Sequence, residues 1–418
     1  MQNILFIDVD GGWGGAPKSL LTLVKHLDPN AFRPVLLIGM PGPVVNEYRK
    51  KGISLLVEPF SSFVYSLNNR GFILKKSVLM VLMLPKTIMA LRKIIKSEGI
   101  DLVHINSVVV LPTAFLCKIF FKLPLIFHVR EMLLNNLIGS LQGKLIYLVA
   151  DKIITISEYG AAQFQRARNN DKVLIRYNPV DIQEFQFSNR DRKRIRAELQ
   201  VDTETIVIST IGLICPGKGQ DRIIDLVKEI KKKYRGKFKF LIVGKIDFPK
   251  ERGFLRRLMR VFFGKNPVQK FQRELEEEII SSDLQEYITI IEHRRDVWGI
   301  LSASDIVLRT SRLNDPWCRD VIESMVVGRA IVTTGKYDVF LKNYDNGFLI
   351  PPQRTEEETI RRIVEKLLLL IHDKELRESM GENNLIKGRM LFDPQKYALS
   401  MEEIYSDILH KNPNSPSS

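Results

Sequence analysis

Two carboxylates with seven residues between them, Asp315 and Glu323, stand in the stretch Asn314–Thr334, NDPWCRDVIESMVVGRAIVTT. Asp315 and Pro316 read as a turn after the apolar run Asp305–Leu308, and proline near a first helical position is tolerated because its missing N–H would be unpaired there anyway. From about Arg319 the apolar residues Val321, Ile322, Met325 and Val326 recur at helical spacing, Gly328 stands where a helix stops, and Ala330–Thr333 reads as a strand. A helix N-terminus at the end of a sheet offers unpaired amides and the positive end of a dipole, which suits an anion. One helical turn carries Glu323 past the loop, so both acids could line one crevice with amides between them. That set fits a nucleotide-sugar, with amides for the diphosphate and carboxylates for sugar and ribose hydroxyls. A structural alternative has the same spacing. Arg319 lies four residues from each acid, and an i,i+4 ion-pair ladder contributes about 0.2–0.5 kcal/mol per pair.

The elements that must position these groups alternate along the chain. At 418 residues, two domains are the natural expectation. Asn3–Val9 reads as a buried strand, Gly11–Gly15 as a glycine loop and Ala16–Leu27 as an amphipathic helix, an order by which open α/β sheets cradle phosphates. Pro17 stands where a third glycine would complete a dinucleotide fingerprint, which argues against an ordinary dehydrogenase. Asp8 and Asp10 read as loop-capping acids rather than metal ligands. Further strands are expected at Pro34–Ile38, Ile53–Val57, Leu102–Ile105 and Leu125–Val129, then at Ile206–Ile211, Lys239–Gly244 and Ile288–Ile291. Strands alternating with helices predict doubly wound parallel sheets. Their C-terminal ends face ligand crevices in such sheets, which makes His104, His128, Arg130 and Glu131 candidates. Arg190–Leu199 reads as a basic surface helix opening the second domain.

The motifs carry a resemblance. Asp315-Pro-Trp317-Cys318-Arg319-Asp-Val-Ile-Glu323-Ser-Met resembles the E-P-F-G-R-x-x-I-E-A-M segment of retaining GT-B glycosyltransferases, the glycogen-synthase-like group called family four. Gly14-Gly15-Ala-Pro-Lys-Ser-Leu-Leu resembles its G-G-A-E-R-S-L-L loop. Gly212-Leu-Ile-Cys-Pro-Gly-Lys218-Gly-Gln-Asp221 resembles G-R-L-x-P-x-K-G-x-D, with Leu213 in place of the arginine. His128-Val-Arg130-Glu131 resembles an acceptor-side segment, and His293-Arg-Arg-Asp296-Val297 the loop that contacts the base. Asn178-Pro-Val-Asp181 and Asn346–Pro352 resemble N-G-V-D and N-G-L-L-V-P-P. The likeness runs from Gly14 to Leu409.

It implies an α/β GT-B fold of two Rossmann-like domains facing across a cleft: residues 1–185 for the acceptor, 186–390 for the nucleotide-sugar, a helix in 391–411 returning to the first domain, and a disordered tail, 412–418. It implies retaining, metal-independent sugar transfer from a nucleotide-sugar donor to a saccharide or glycolipid acceptor, with no cofactor, in polysaccharide or lipopolysaccharide synthesis. Lys218, the amides of Gly14 and Gly15 and the helix at Arg319 would hold the diphosphate. Glu323 would bind the ribose and Asp315 the donor sugar, with Trp317, Cys318 and Arg319 lining that site. Asp296 and Val297 would meet the base, His128 would position donor sugar or acceptor, and His104, Arg130 and Glu131 lie on the acceptor side. Arg309 or Arg312 could replace the missing arginine. If neither does, a non-catalytic GT-B-like binding protein becomes the alternative, and a nucleotide-sugar epimerase is a second.

Composition frames the partners. The formal net charge is +15, with a pI near 9.6. No nucleic-acid motif accompanies it, which leaves anionic substrates or an anionic membrane surface. Residues 249–273 hold eight Lys/Arg against one Glu, with Leu255, Leu258, Val261 and Phe262 as an apolar face, the pattern either of an interfacial contact with an anionic membrane or of a solvated insert packed loosely on the domain. Gly71–Lys96 is apolar but interrupted by Lys75, Lys76, Pro85 and Lys86, and reads as a buried helix pair or an interfacial segment rather than a span. Three scattered cysteines form no disulfide framework or metal spacing, and MQNILFIDVD lacks a signal-peptide n-region. The last two features predict a cytoplasmic protein, and the basic insert with the apolar stretch allows a peripheral position on the inner membrane face.

Overall fold

The computed structural model describes residues 1–62, 80–134, 136–164, 171–246, 267–313, 319–336 and 339–411. Asp315, Trp317, Cys318, most of the basic insert 249–273, the first part of Gly71–Lys96 and the tail 412–418 lie outside the described residues. The chain divides into two compact units, Met1–Asp181 with Asp393–Ser418, and Ile182–Phe392.

The first unit is built on seven parallel strands: β1 (Gln2–Asp10), β2 (Phe32–Met40), β3 (Ser54–Val57), β4 (Leu102–Ile105), β5 (Leu125–Val129), β6 (Lys152–Thr155) and β7 (Val173–Ile175), in the order β3-β2-β1-β4-β5-β6-β7. In β1, Ile4, Leu5, Phe6 and Ile7 are all buried. Parallel sheets have helices on both faces, so their strands read as continuous apolar runs. Ile4 and Phe6 pack toward Gly15–His26 and the C-terminal helix Pro394–Lys411. Leu5 and Ile7 pack toward Leu84–Glu98, Leu111–Phe121 and Leu137–Val149. Within the C-terminal helix, Tyr397, Met401, Tyr405 and Ile408 supply the buried stripe.

The second unit repeats the plan with β8 (Ile206–Ile211), β9 (Phe238–Lys245), β10 (Ile288–Glu292), β11 (Ile306–Arg309), β12 (Ala330–Thr334) and β13 (Gly347–Ile350), in the order β10-β9-β8-β11-β12-β13. Strand order reverses between β1 and β4 in one sheet and between β8 and β11 in the other. Loops leaving such switch points form the crevice where open α/β sheets bind ligands.

At the second switch point the loop after β8 crosses the end of β9. Gly212 and Gly244 have φ of +136° and +130°, and a Cβ on Gly244 would stand 2.1 Å from the Gly212 carbonyl oxygen. Only glycine permits both the dihedral and the approach. The basic helix, Asn189–Glu198, is less of a surface element than its composition predicts. Arg196 is buried, and Arg192 and Arg196 each donate to Asp305 at 2.7 Å.

Candidate functional site

In the second unit, Lys218 ends a short 3-10 turn, Pro216–Lys218, in the loop leaving β8. Residues just past β11 clamp that turn. The Arg312 amide donates to the Gly217 carbonyl at 2.9 Å, Ser311 Oγ donates to the same oxygen at 3.2 Å, and Thr310 Oγ1 donates to the Lys218 carbonyl at 3.1 Å. Gly219, at φ +68°, lets the chain pass the Thr310 carbonyl, which a Cβ would meet at 2.3 Å. The Gln220 side chain closes the loop by donating to the Leu213 carbonyl at 3.0 Å. Lys218 is thus a cation on a braced loop at the switch point.

Glu323 lies inside the helix Arg319–Val327 and is only 3% exposed. Arg319 Nε donates to its Oε1 at 2.7 Å, so one rung of the ion-pair ladder is formed. Gly328, at φ +76°, ends the helix. The two arginines considered as replacements for the one missing at Leu213 are committed elsewhere. Arg309 is buried, donates to the Thr334 carbonyl at 3.0 Å and lies 3.9 Å from Asp320. Arg312 forms a bidentate pair with Asp221 at 2.7 and 2.8 Å and also reaches Glu356 at 2.8 Å. Asp296 is held by Arg294 at 2.9 Å and Arg194 at 3.0 Å, and the Arg294 hydrogen bond pulls its pKa down to about 2. Val297 is buried at the start of a seven-residue helix.

In the first unit, Gly14 caps the helix Gly15–His26 without a side-chain hydrogen bond, and no acid occupies the first turn. Such a terminus suits an anion. Asp10 accepts from the Gly12 amide at 2.8 Å, the loop-capping role read from the sequence. Asp8 does not share it. Its carboxyl is buried and accepts from Asn106 Nδ2 at 2.6 Å, and Asn106 Oδ1 accepts from Arg130 Nε at 2.8 Å. Arg130 Nη1 continues the network to Asn178, while Arg130 Nη2 has no hydrogen-bond partner. Glu131 accepts from Ser107 Oγ at 2.5 Å and the Val108 amide at 3.2 Å, and burial raises its pKa.

His104 and His128 lie within β4 and β5, their rings fully buried. His104 Nδ1 is 2.8 Å from the Tyr405 hydroxyl, and His104 Nε2 is 3.2 Å from His128 Nδ1. His128 Nε2 is buried without a partner. Burial, aided by Arg130, pushes the His104 pKa down to about 3 and that of His128 well below the usual value. Both rings are therefore neutral near pH 7. Buried polar atoms left unpaired are rare, so Arg130 Nη2 and His128 Nε2 mark this end of the sheet. Asn106 and Tyr405 were not singled out in the sequence. Asn106 directly follows β4 and could have been found by its place, whereas nothing local to Tyr405 points to His104.

Burial raises the Asp8 pKa from 3.8 to about 7, against the lowering effect of the Asn106 hydrogen bond. Between those values the folded state holds a proton that the unfolded chain releases, so this group's contribution to stability falls as pH rises and is lost above about 7. Asp8→Asn keeps the shape without the titration. From pH 5 to pH 8 the wild type is expected to lose about 2–4 kcal/mol relative to the variant, read by chemical unfolding at both pH values. Equal losses would show that Asp8 does not hold the proton.

Two parallel sheets of Rossmann-like order with helices on both faces define the α/β class called GT-B. Residues 13–184 match the model of Glycosyltransferase Family 4, and residues 191–385 that of Glycosyl transferases group 1. The chain is 24% identical over 332 residues to an uncharacterized glycosyltransferase of Methanocaldococcus jannaschii, covering 76% of this chain and 78% of that one. It is 21% identical over 289 residues to spore coat protein SA of Bacillus subtilis, covering 66% and 70%. Among solved structures, Anabaena HepE in complex with UDP-glucose superposes with a TM-score of 0.75 at 21% identity, covering 97% of this chain and 100% of that one. The chain belongs to the group 1 glycosyltransferases of the GT-B fold.

Proposed function

We propose that this chain transfers a sugar from a nucleotide-sugar to a saccharide or lipid-linked acceptor with retention at the anomeric carbon and without a metal ion, in the synthesis of a cell-surface polysaccharide or glycolipid. The observation that carries this is Lys218, held at the second switch point on a loop braced by Thr310, Ser311 and Arg312. A fixed cation there would stabilise the charge that grows on a departing diphosphate. Glu323 would accept from the ribose hydroxyls and Asp315 from the donor sugar, with Trp317, Cys318 and Arg319 around them and Asp296 and Val297 toward the base. The amides of Gly14 and Gly15 would assist at the diphosphate. His128 would direct its unpaired Nε2 at donor sugar or acceptor, and His104, Arg130 and Glu131 would order the acceptor side. The leaving phosphate would take the acceptor proton on a front-face path. The UDP-glucose named with the HepE structure makes a uridine donor the first to try.

Calorimetric titration with UDP, GDP, ADP and CMP tests the donor site. One nucleoside diphosphate should bind the wild type and bind Lys218→Ala and Glu323→Ala at least about tenfold more weakly. Failure of all four to bind would favour the non-catalytic alternative, for which Leu213, 41% exposed and with neither Arg309 nor Arg312 free to replace the arginine, is the motivating residue.

A further inference from the structure

The helices Leu84–Glu98, Leu111–Phe121 and Leu137–Val149 lie side by side over one face of the first sheet. Their inner faces fill the core, but the outer faces are not those of an ordinary solvated layer. Leu137–Val149 reads LIGSLQGKLIYLV, with Lys144 its single charged residue. Gly139, Gln142, Gly143, Ile146 and Val149 point inward, while Leu137 (89% exposed), Ile138, Leu141 and Leu148 (72%) point out. A helix apolar all round, covered on one side only by its own fold, presents its other side to a second apolar phase. The next helix adds exposed Ile119 and Phe120, and the third adds Met89 behind Val81 and Leu82.

Charge decides what that phase is. Lys86, Arg92, Lys93, Lys96, Lys122 and Lys144 are exposed on or beside these helices and have no ion-pair partner among the described residues. The three helices contain one acid, Glu98, committed to Arg33 at 2.6 Å and Ser54 at 2.8 Å. A second copy of the chain docking face to face would set these cations against themselves. Among the described residues no helix is long and apolar enough to cross a membrane. We propose that this three-helix face docks on the surface of a bilayer containing anionic lipid, its leucine, isoleucine and phenylalanine side chains entering the boundary of headgroup and acyl chain and its cations meeting lipid phosphates. The surface belongs to the first unit alone and needs neither the 249–273 insert nor the sugar-transfer chemistry.

Flotation of the full chain with phosphatidylcholine vesicles, with and without phosphatidylglycerol, tests it. The wild type should float with the anionic vesicles at low salt and much less with the neutral ones or at high salt. Lys86→Glu, Lys93→Glu and Lys144→Glu together should weaken partitioning by about fivefold per charge removed, and Leu137→Ser, Leu141→Ser and Leu148→Ser together by at least about tenfold. The altered side chains are exposed, so unfolding temperature and nucleoside diphosphate affinity should match the wild type in both variants. Equal flotation of wild type and variants, no flotation of the wild type, or a self-association that the leucine variant abolishes would overturn the proposal. Since vesicle binding and nucleotide binding are read separately, either can fail without the other.

Discussion

Lys218→Ala is expected to lower kcat about 100- to 1000-fold with little change in unfolding temperature. The rate effect follows from where charge develops. In the proposed transfer negative charge would grow on the leaving oxygens as the anomeric bond to the diphosphate lengthens, and a cation already fixed beside them would need no reorganisation. The loop is held in place by the Gly217 and Lys218 carbonyls, the Thr310 and Ser311 hydroxyls and the Arg312 amide. Cutting the lysine back to a methyl leaves every one of those bonds intact. The position also lacks its usual reinforcement, because Leu213 stands where the resembling motif has arginine, and Arg309 and Arg312 are engaged with Asp320, Asp221 and Glu356. Lys218→Arg keeps a charge on a differently shaped head and should recover part of the loss. Nucleoside diphosphate release under single-turnover conditions measures the step directly. A kcat for the alanine variant within about threefold of the wild type would remove Lys218 from the chemistry.

The strands were legible wherever both faces of a sheet are covered, because there the chain must be apolar without interruption. Leu102–Ile105 and Leu125–Val129 stand where the apolar runs predict them, and β1, β9 and β12 are each longer than the run by a residue or two at their ends. The helix at Arg319 and its stop at Gly328 were legible for the same local reason. What escaped are contacts made by distance in sequence. The Tyr405–His104 contact joins residues 301 apart, and the pairing of Arg222 and Arg312 with Glu356 joins three separate segments. Composition misled in one place, since a helix rich in arginine reads as a solvated face until Asp305 is found beneath it. The D-x-D at Asp8 and Asp10 shows the limit most plainly. Two residues apart on a strand the two side chains share a face, yet Asp8 lies inside β1 and is buried against Asn106, while Asp10 is the strand's exposed last residue and caps the loop that follows.

The arrangement around Glu323 leads to a prediction that separates two roles one carboxylate can fill. Glu323→Ala should cost about 3 kcal/mol of stability, because it removes the acceptor from Arg319 in a place where neither group is well solvated; the side chains are 4% and 12% exposed. It should also weaken nucleoside diphosphate binding about 10- to 100-fold, the worth of a hydrogen bond to a charged group. Alone, that variant cannot tell a ribose contact from a helix that has loosened. Combining it with Arg319→Ala can. The double variant leaves no unpaired buried charge, so much of the stability should return, with a coupling energy that a double-mutant cycle reads out. Donor affinity should stay low if Glu323 meets the ribose, since no acceptor has been restored. Glu323→Gln, which keeps an oxygen acceptor for both partners, should fall between wild type and alanine in each measurement. Recovery of both stability and affinity in the double variant would mean that the carboxylate serves Arg319 alone, the i,i+4 pair that the spacing allowed from the start.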